Sequence, residues 1–484
     1  MNIAPARRAA FDILQRVETS DAWAGALLAA PRYTTLSHQD RALAQELTLG
    51  VLRWRGQLDF LIEHFSRRKT SKLDTEVRIA LRLGLYQLRF LSRVPAHAAI
   101  NDAVNLVKTS NKQSAAPMVN AVLRAVTRTD NETISALITQ IADPIARLAV
   151  ETSHPAWLLD RWVRRYGMDE TRALALAANQ APVPCFRFID EPAAAAWLAE
   201  NAMTFAPSVL LPSAMSLTTG HLSDDSPPVQ AGHLYLQDAA SQLIARLPAG
   251  AATTAQPIRI LDVCAAPGNK TTLLAALAGH QATILAGDLH AHRLRAMRRL
   301  TTRAGQQNIR LLQYDAARAL PFADAVFDSV LLDAPCSGLG TLQRHPEIRW
   351  RAAENRIAEL ATLQTQLLEN AAATLRPGGL LTYAVCSTEP EEGEDIIARF
   401  RARHPEYRDI TRERLTELGL DPAPLLTPAF GARTFPHRHQ SEGFFFCVMW
   451  KRSQKSEVRR LKTDFADKQR RCIAKAQPLL TPES

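Results

Sequence analysis

Apolar positions recur along this chain at two periods, and the change from one to the other divides it. Over roughly the first 140 residues they return every three or four positions, the spacing of one helix face. Asp74 is a plausible N-cap there, followed by Val77, Leu81, Leu85 and Leu88 at helical spacing with Ala80 and Gly84 beside them. Arg78, Arg82 and Arg89 fall largely off that stripe. Pro95 and Pro117 each precede another helical stretch, where a first turn tolerates proline. Helical character continues from Pro155 through Gln180. The composition then shifts between Ala181 and Gln237: Pro and Ala dominate, short β-like runs such as Cys185 to Ile189 occur, and Ala193 to Glu200 is helical. From about Gln237 to Lys451 candidate strands alternate with helices: Ile258 to Val263, Thr283 to Gly287, Ile309 to Gln313, Ser329 to Leu332, Leu380 to Val385 and Phe444 to Trp450. That alternation predicts a doubly wound, Rossmann-like sheet. After Arg452 charge density rises and apolar residues thin out, as in a frayed helix or a disordered tail. The expected fold is multidomain, in four parts. Residues 1–145 are all-α, 146–236 form a small α+β module, 237–452 an α/β domain, and 453–484 a charged tail.

Length and composition agree with this. A chain of 484 residues is too long for one ordinary core. Hydrophobic residues at 46% and charged residues at 22% are near globular averages, so most of it should fold. The net charge of +10 favours a polyanion such as nucleic acid, although an ordinary basic protein explains it nearly as well. Arg53-Trp54-Arg55 could hold a phosphate and stack a base. On a helix the same triplet reads slightly better as a solvated face around a core tryptophan. The segment Met1 to Arg8 lacks a secretory core, and no apolar run is long enough for a bilayer, so no membrane partner is expected. Six cysteines without a Cys-x-x-Cys pair argue against a metal site and a disulfide scaffold, and place the chain in a reducing cytoplasm.

The run Asp262-Val263-Cys264-Ala265-Ala266-Pro267-Gly268-Asn269-Lys270-Thr271 reads as a strand end, a tight turn of small residues and a helix start. Free N–H groups and the positive end of a helix dipole can receive a ligand carboxylate there. An acidic residue at the end of the next strand should hold ribose hydroxyls. Asp288 fits, and Asp315, after the third strand, could accept from an adenine amino group. A phosphate loop of the Walker type needs Gly where Cys264 and Asn269 stand, and a dinucleotide fingerprint needs glycines the turn lacks. S-adenosylmethionine remains, since its methionine end needs only a modest turn, and Asp288, Asp315 and Asp333 all fall at strand ends where such folds bind ligands.

Two further candidate strands end in cysteine: Asp333-Ala334-Pro335-Cys336-Ser337 and Tyr383-Ala384-Val385-Cys386-Ser387. One buried cysteine at a strand end is usually a small core hydrophobe. Two in one ligand crevice suit methylation of cytosine C5, a carbon too poorly nucleophilic to react unaided. A thiolate adding to C6 makes an enamine whose C5 can attack a methyl group. An acid near N3, Asp333, would neutralise the growing charge, and a base must then take the C5 proton so that the thiolate can leave. Either sulfur has access, so the residues alone leave the nucleophile open. Cys185, Cys447 and Cys472 read as structural, and Gly443 to Phe446 as sheet core. Gly338 to Trp350 reads as a basic loop whose Arg344, His345 and Arg349, with Arg351 just beyond, could clamp an RNA strand.

These motifs resemble the bacterial small-subunit ribosomal RNA methyltransferase B family of the Sun/Fmu type, within the NOL/NOP2/Sun group. The likeness spans Asp262 to Thr271, Asp333 to Gly338, Arg344 to Ile348 and Cys386-Ser387 with Glu391-Glu392. It also covers Asp40 to Ala44, Leu83 to Leu88, Arg93 to Pro95 and Val119 to Arg124, which resemble a NusB-like RNA-binding domain. The resemblance implies a cytosine-C5 RNA methyltransferase using S-adenosylmethionine on 16S rRNA, with Cys386 as nucleophile, Cys336 assisting release, and Cys264, Ala265, Ala266, Pro267, Gly268, Asn269, Lys270, Asp288, Asp315 and Asp333 as the S-adenosylmethionine contacts. A monomer is expected. The sequence departs at Asn269, where Gly is usual, Val385, where Thr is common, and Glu442, where Asp often precedes Gly443. The same chemistry on tRNA or another rRNA site is the nearest rival, and a non-catalytic RNA-binding or ribosome-assembly factor the next.

Overall fold

The computed structural model describes residues 3–249 and 258–453. The expected charged tail and Cys472 lie outside the described residues, apart from residue 453. The N-terminal region is a bundle whose main helices run Pro5–Thr19, His38–Ser66, Thr75–Phe90, Ala96–Thr109 and Ala116–Thr127. Val77, Leu81 and Leu85 face one shared core as their spacing predicted, with Leu88 partly buried against it. Asp74 does precede the Thr75–Phe90 helix, but its carboxylate makes no capping bond; it pairs with Lys112 at 3.0 Å. Arg82 is a clearer departure. Neighbouring helices cover more than one face of its own helix, so Arg82 is 1% exposed and donates to Asp59 at 2.6 and 2.7 Å and to Glu18. A guanidinium stripped of water at that depth is tolerable only with such partners.

The Arg53-Trp54-Arg55 triplet is neither a solvated face nor a phosphate site. Trp54 stacks on Phe90 with ring centroids 4.8 Å apart. Arg53 donates to the Gln343 carbonyl at 3.0 Å, and the Arg55 guanidinium lies 5.3 Å from the Trp350 ring centroid. The segment expected to clamp RNA is the other half of this joint. Arg349 is fully buried, donating to Asn179 Oδ1 at 2.6 Å and to the carbonyls of Ala178 and Ser153 at 3.1 and 3.2 Å. Trp350 donates to the Leu52 carbonyl at 2.8 Å, and Arg351 to that of Ala22 at 2.7 Å. His345 packs edge-on against Trp23. Arg351 therefore fastens the helical bundle to the α/β domain, and Arg349 joins that domain to the segment around residues 153–179 and, at 3.4 Å, to the Arg53 carbonyl of the bundle; their charge satisfies protein acceptors, not phosphate.

Helices Pro144–Thr152, Ala156–Tyr166 and Met168–Ala177 share a core with Leu339, Leu342, Ile348 and Phe435 of the α/β domain. A separate four-stranded antiparallel sheet follows: β1 Cys185–Phe188, β2 Thr204–Pro207, β3 Met215–Thr219 and β4 Leu234–Leu236, in the order β2-β3-β1-β4. The large sheet contains β5 Ile258–Asp262, β6 Ala282–Asp288, β7 Ile309–Gln313, β8 Phe327–Asp333, β9 Leu375–Val385, β10 Tyr407–Asp409, β11 Ala432–Arg433 and β12 Phe445–Lys451. Its order is β10-β12-β9-β8-β5-β6-β7, with β11 beside β12. Strands β5 to β9 run parallel, and β12 pairs antiparallel with β9. Each expected strand is present within a few residues, and the Phe444-Phe445-Phe446 run is buried core. The chain reverses its direction of progress between β5 and β8, so a crevice opens at their carboxyl ends.

Candidate active site

The turn after β5 explains itself from its residue types. Gly268 has φ of +107°, a left-handed conformation that favours glycine, and a Cβ there would meet Met297 Cγ at 2.7 Å. It precedes the Asn269–Ala278 helix, whose first internal bond is Thr272 N–H to the Gly268 carbonyl. The N–H groups of Asn269, Lys270 and Thr271 thus lack intrahelical partners and face the end of the strand. At the mouth of β6, Gly287 lies so close to Tyr314 that a Cβ would sit 2.1 Å from the ring.

Carboxylates line the ends of three adjacent strands. Asp262 is 1% exposed and accepts from Thr271 Oγ1 at 2.6 Å; burial raises its carboxyl to about 7. Asp288 is buried at the end of β6 and accepts from His290 N–H at 2.9 Å. Asp333, at the end of β8, accepts from Lys270 Nζ at 2.7 Å. Burial alone would lower the Lys270 ammonium, but Asp333 more than offsets it and leaves it raised. Asp315 stands two residues beyond β7, accepting from Ala317 N–H at 3.0 Å and pairing with Arg318 at 3.4 Å. Cys264 is partly buried between these groups, and burial pushes its thiol up. This donor set suits a ligand with a carboxylate, an ammonium and ribose hydroxyls, because free N–H groups, uncommitted carboxylate oxygens and a glycine-lined approach converge there.

The two candidate cysteines meet. In the parallel β8–β9 pair Asp333 is opposite Ala384, which brings Cys336 and Cys386 off adjacent strand ends with their sulfurs 3.2 Å apart. The Cys336 thiol is held well above its usual range by its hydrogen bond to Cys386, by burial and by the nearby carboxylate of Glu392. The two sulfurs are within contact of one another at the floor of the crevice.

Glu392 is the residue whose role the sequence did not disclose. It is completely buried, and four donors converge on its carboxylate. Oε1 accepts from Ser337 N–H at 2.8 Å and from Gln364 Nε2 at 3.0 Å, while Oε2 accepts the hydroxyls of Ser337 and Ser387. Each serine directly follows one of the two cysteines. The carboxylate therefore ties both cysteine turns to one point. A second brace comes from the Ala156–Tyr166 helix: Arg161 and Trp162 donate to Glu389 at 2.8 and 3.0 Å, just beyond Cys386. The sequence signals for it were the place of Glu391-Glu392 in the motif after Cys386-Ser387 and the serines flanking the cysteines, since paired hydroxyls beside paired thiols call for a common acceptor. Glu442, the departure noted above, pairs with Arg344 at 3.0 Å; burial raises it to about 7 beside Asp238, Lys270 and Asp333.

Comparison with known proteins places these features. The model of the family described as 16S rRNA methyltransferase RsmB/F matches residues 253–450, and that of the NusB family matches residues 4–128. A protein named probable ribosomal RNA small subunit methyltransferase B from Synechocystis is 35% identical over 457 residues, covering 92% of this chain and 99% of that one. Its namesake from Bacillus subtilis is 30% identical over 92% of this chain and 98% of its own length. Among solved structures, PH0851 superposes with a TM-score of 0.75 at 24% identity over 93% of this chain and 100% of that one, a likeness of fold.

Proposed function

The chain belongs to the 16S rRNA methyltransferase RsmB/F family, and from that premise we propose that it methylates C5 of a cytosine in small-subunit ribosomal RNA through a covalent adduct with Cys386. The observation that carries this reading is the pair of sulfurs 3.2 Å apart beside the Lys270–Asp333 ion pair. The free N–H groups of residues 269–271 and the carboxylates of Asp288, Asp315 and Asp333 would hold S-adenosylmethionine, with Cys264, Ala265, Ala266, Pro267 and Gly268 forming the wall it rests on. Bound there, it supplies an electrophilic methyl group.

The family resemblance gives the two cysteines different work: the Cys386 sulfur, as thiolate, attacks C6, and Cys336 beside it assists release. Electron density pushed onto the ring reaches N3, where Asp333 and the Lys270 ammonium bonded to it deliver a proton as one unit. Cys336, or a water it positions, takes the C5 proton; the C5–H electron pair forms the C5–C6 double bond as the Cys386 sulfur leaves, and the N3 proton returns to the Asp333–Lys270 pair.

Incubation with labelled S-adenosylmethionine and unmodified small-subunit rRNA, followed by mapping of 5-methylcytosine, tests the reading. Label at one cytosine is the expected result. Transfer to tRNA alone would move the substrate, and transfer to no RNA would leave the assembly-factor reading standing. Among the described residues no helix is long and apolar enough to cross a membrane. The work expected of this chain, on RNA and as a cytoplasmic monomer, needs none.

A further inference from the structure

The helix Ala291–Arg303 carries Arg293, Arg295, Arg298, Arg299 and Arg303 and no acidic residue, and His290 and His292 stand at its start. All five arginines are exposed, and among the described residues none has a carboxylate partner. By contrast, Arg82 and Arg433, both buried, are paired with carboxylates. Arg295, Arg298, Arg299, Thr302 and Arg303 form one open, solvent-facing surface along the helix.

Such a helix works against its own stability. Arg295 and Arg299, and Arg299 and Arg303, are four residues apart, and Arg295 and Arg298 three apart, so like charges neighbour one another along one face. The helix dipole rewards only Arg303, which lies in the last turn; Arg293 and Arg295 sit in the half nearer its positive end. A folded chain that tolerates this repulsion holds a surface suited to a polyanion. The apolar face of the helix cannot serve a bilayer, because Met297 and Thr301 are buried and Leu294 packs beneath them.

Its position relates the surface to the crevice. The helix begins three residues after Asp288, and Met297 lies directly beneath Gly268 of the donor turn. At its far end Arg303 stacks on Tyr235 of β4, 5.1 Å from the ring centroid. The four arginines at 295, 298, 299 and 303 span about 12 Å of helix.

We infer that helix 291–303 is a second RNA-docking surface, which grips the phosphate backbone of the substrate outside the crevice. The inference rests on the reading that this chain acts on RNA. Its contacts would position the strand without reading its sequence, since guanidinium groups on a convex helix meet phosphates and not base edges.

The test uses the full chain and an unmodified small-subunit rRNA transcript. Binding is measured against KCl concentration for the wild type, R295Q/R298Q/R299Q and the charge-preserving R295K/R298K/R299K. Each lost phosphate contact should flatten the plot of log K against log salt by about 0.7–0.9, so the glutamine triple loses roughly 2 from the slope and the lysine triple keeps it. Loss in methyl transfer should fall on KM for RNA, not on kcat. In the wild type, where no variant need fold, hydrogen exchange over residues 291–303 should slow when the transcript is added. An unchanged slope with unchanged exchange overturns the inference, as does binding of anionic vesicles in place of RNA. A wild type that binds with the expected slope yet transfers no methyl group overturns the proposed function and leaves this surface intact.

Discussion

Replacing Glu392 with Gln removes one charge from the point where the two cysteine turns are tied and changes little else in shape. Four donors now meet two carboxylate oxygens. An amide oxygen can keep Ser337 N–H and Gln364, but the amide nitrogen then faces the two serine hydroxyls, which must turn round and accept. Ser387 Oγ already accepts from Glu389 N–H at 3.1 Å, so it has little room to do so. Charge-assisted bonds contribute about 1.5–3 kcal/mol each against about 0.5–1.5 for neutral ones, and the exchange costs roughly 2 kcal/mol in all. For a domain of this size that lowers the melting temperature by about 4–8 °C. The catalytic effect should be larger than the loss of stability suggests. Once the turns are loosened the sulfurs lose their alignment, and a displacement of about 1 Å can cost on the order of a hundredfold in kcat. The affinity for S-adenosylmethionine should stay, because no donor-site residue contacts Glu392. Losing the carboxylate also removes one of the influences that hold the Cys336 thiol up, so its alkylation should set in at lower pH than in the wild type. Calorimetry, steady-state transfer and pH-resolved alkylation with peptide mapping read the three effects. A Glu392→Gln protein with kcat within about twofold of wild type and an unchanged melting temperature would refute the clamp.

Cys386→Ala should abolish transfer, whereas Cys336→Ala should still attack and accumulate an RNA adduct that survives denaturing electrophoresis; an adduct formed by Cys386→Ala would exchange their roles. Glu442 is raised to about 7 by burial, so the protonated carboxyl favours the folded state, and that contribution is present below its unfolded value of 4.5 and lost as pH rises through about 7. Glu442→Gln stays neutral, so its melting temperature relative to the wild type should climb between about pH 5 and pH 8; a constant difference would contradict the assignment. Arg349→Met should destabilise the joint by about 3 kcal/mol or more, since Asn179 and two carbonyls lose a buried donor. It should also speed proteolysis between the helical bundle and the α/β domain, and a variant that melts and digests like the wild type would show that the apolar core alone holds them.

Periodicity alone determined much of this protein. Runs such as Val77-Leu81-Leu85 and Ile309 to Gln313 have an inside and an outside whatever surrounds them, so helices, strands and their alternation were legible. So were the tight turn after β5 and the position of the two cysteines at strand ends, because a turn and a strand end are local. Tertiary structure decided what depends on partners distant in sequence. Arg82 lies off the apolar stripe and yet is buried, because one helix's stripe cannot report that other helices cover its remaining faces. Arg349 and Arg351 looked like phosphate ligands because a positive charge has the same letter whether it meets RNA or a neighbouring domain's carbonyls. The sequence put Cys336 and Cys386 in one crevice, but the 3.2 Å between their sulfurs follows from the β8–β9 register and from the carboxylate of Glu392, a motif residue whose partners Ser337 and Gln364 come from distant parts of the chain.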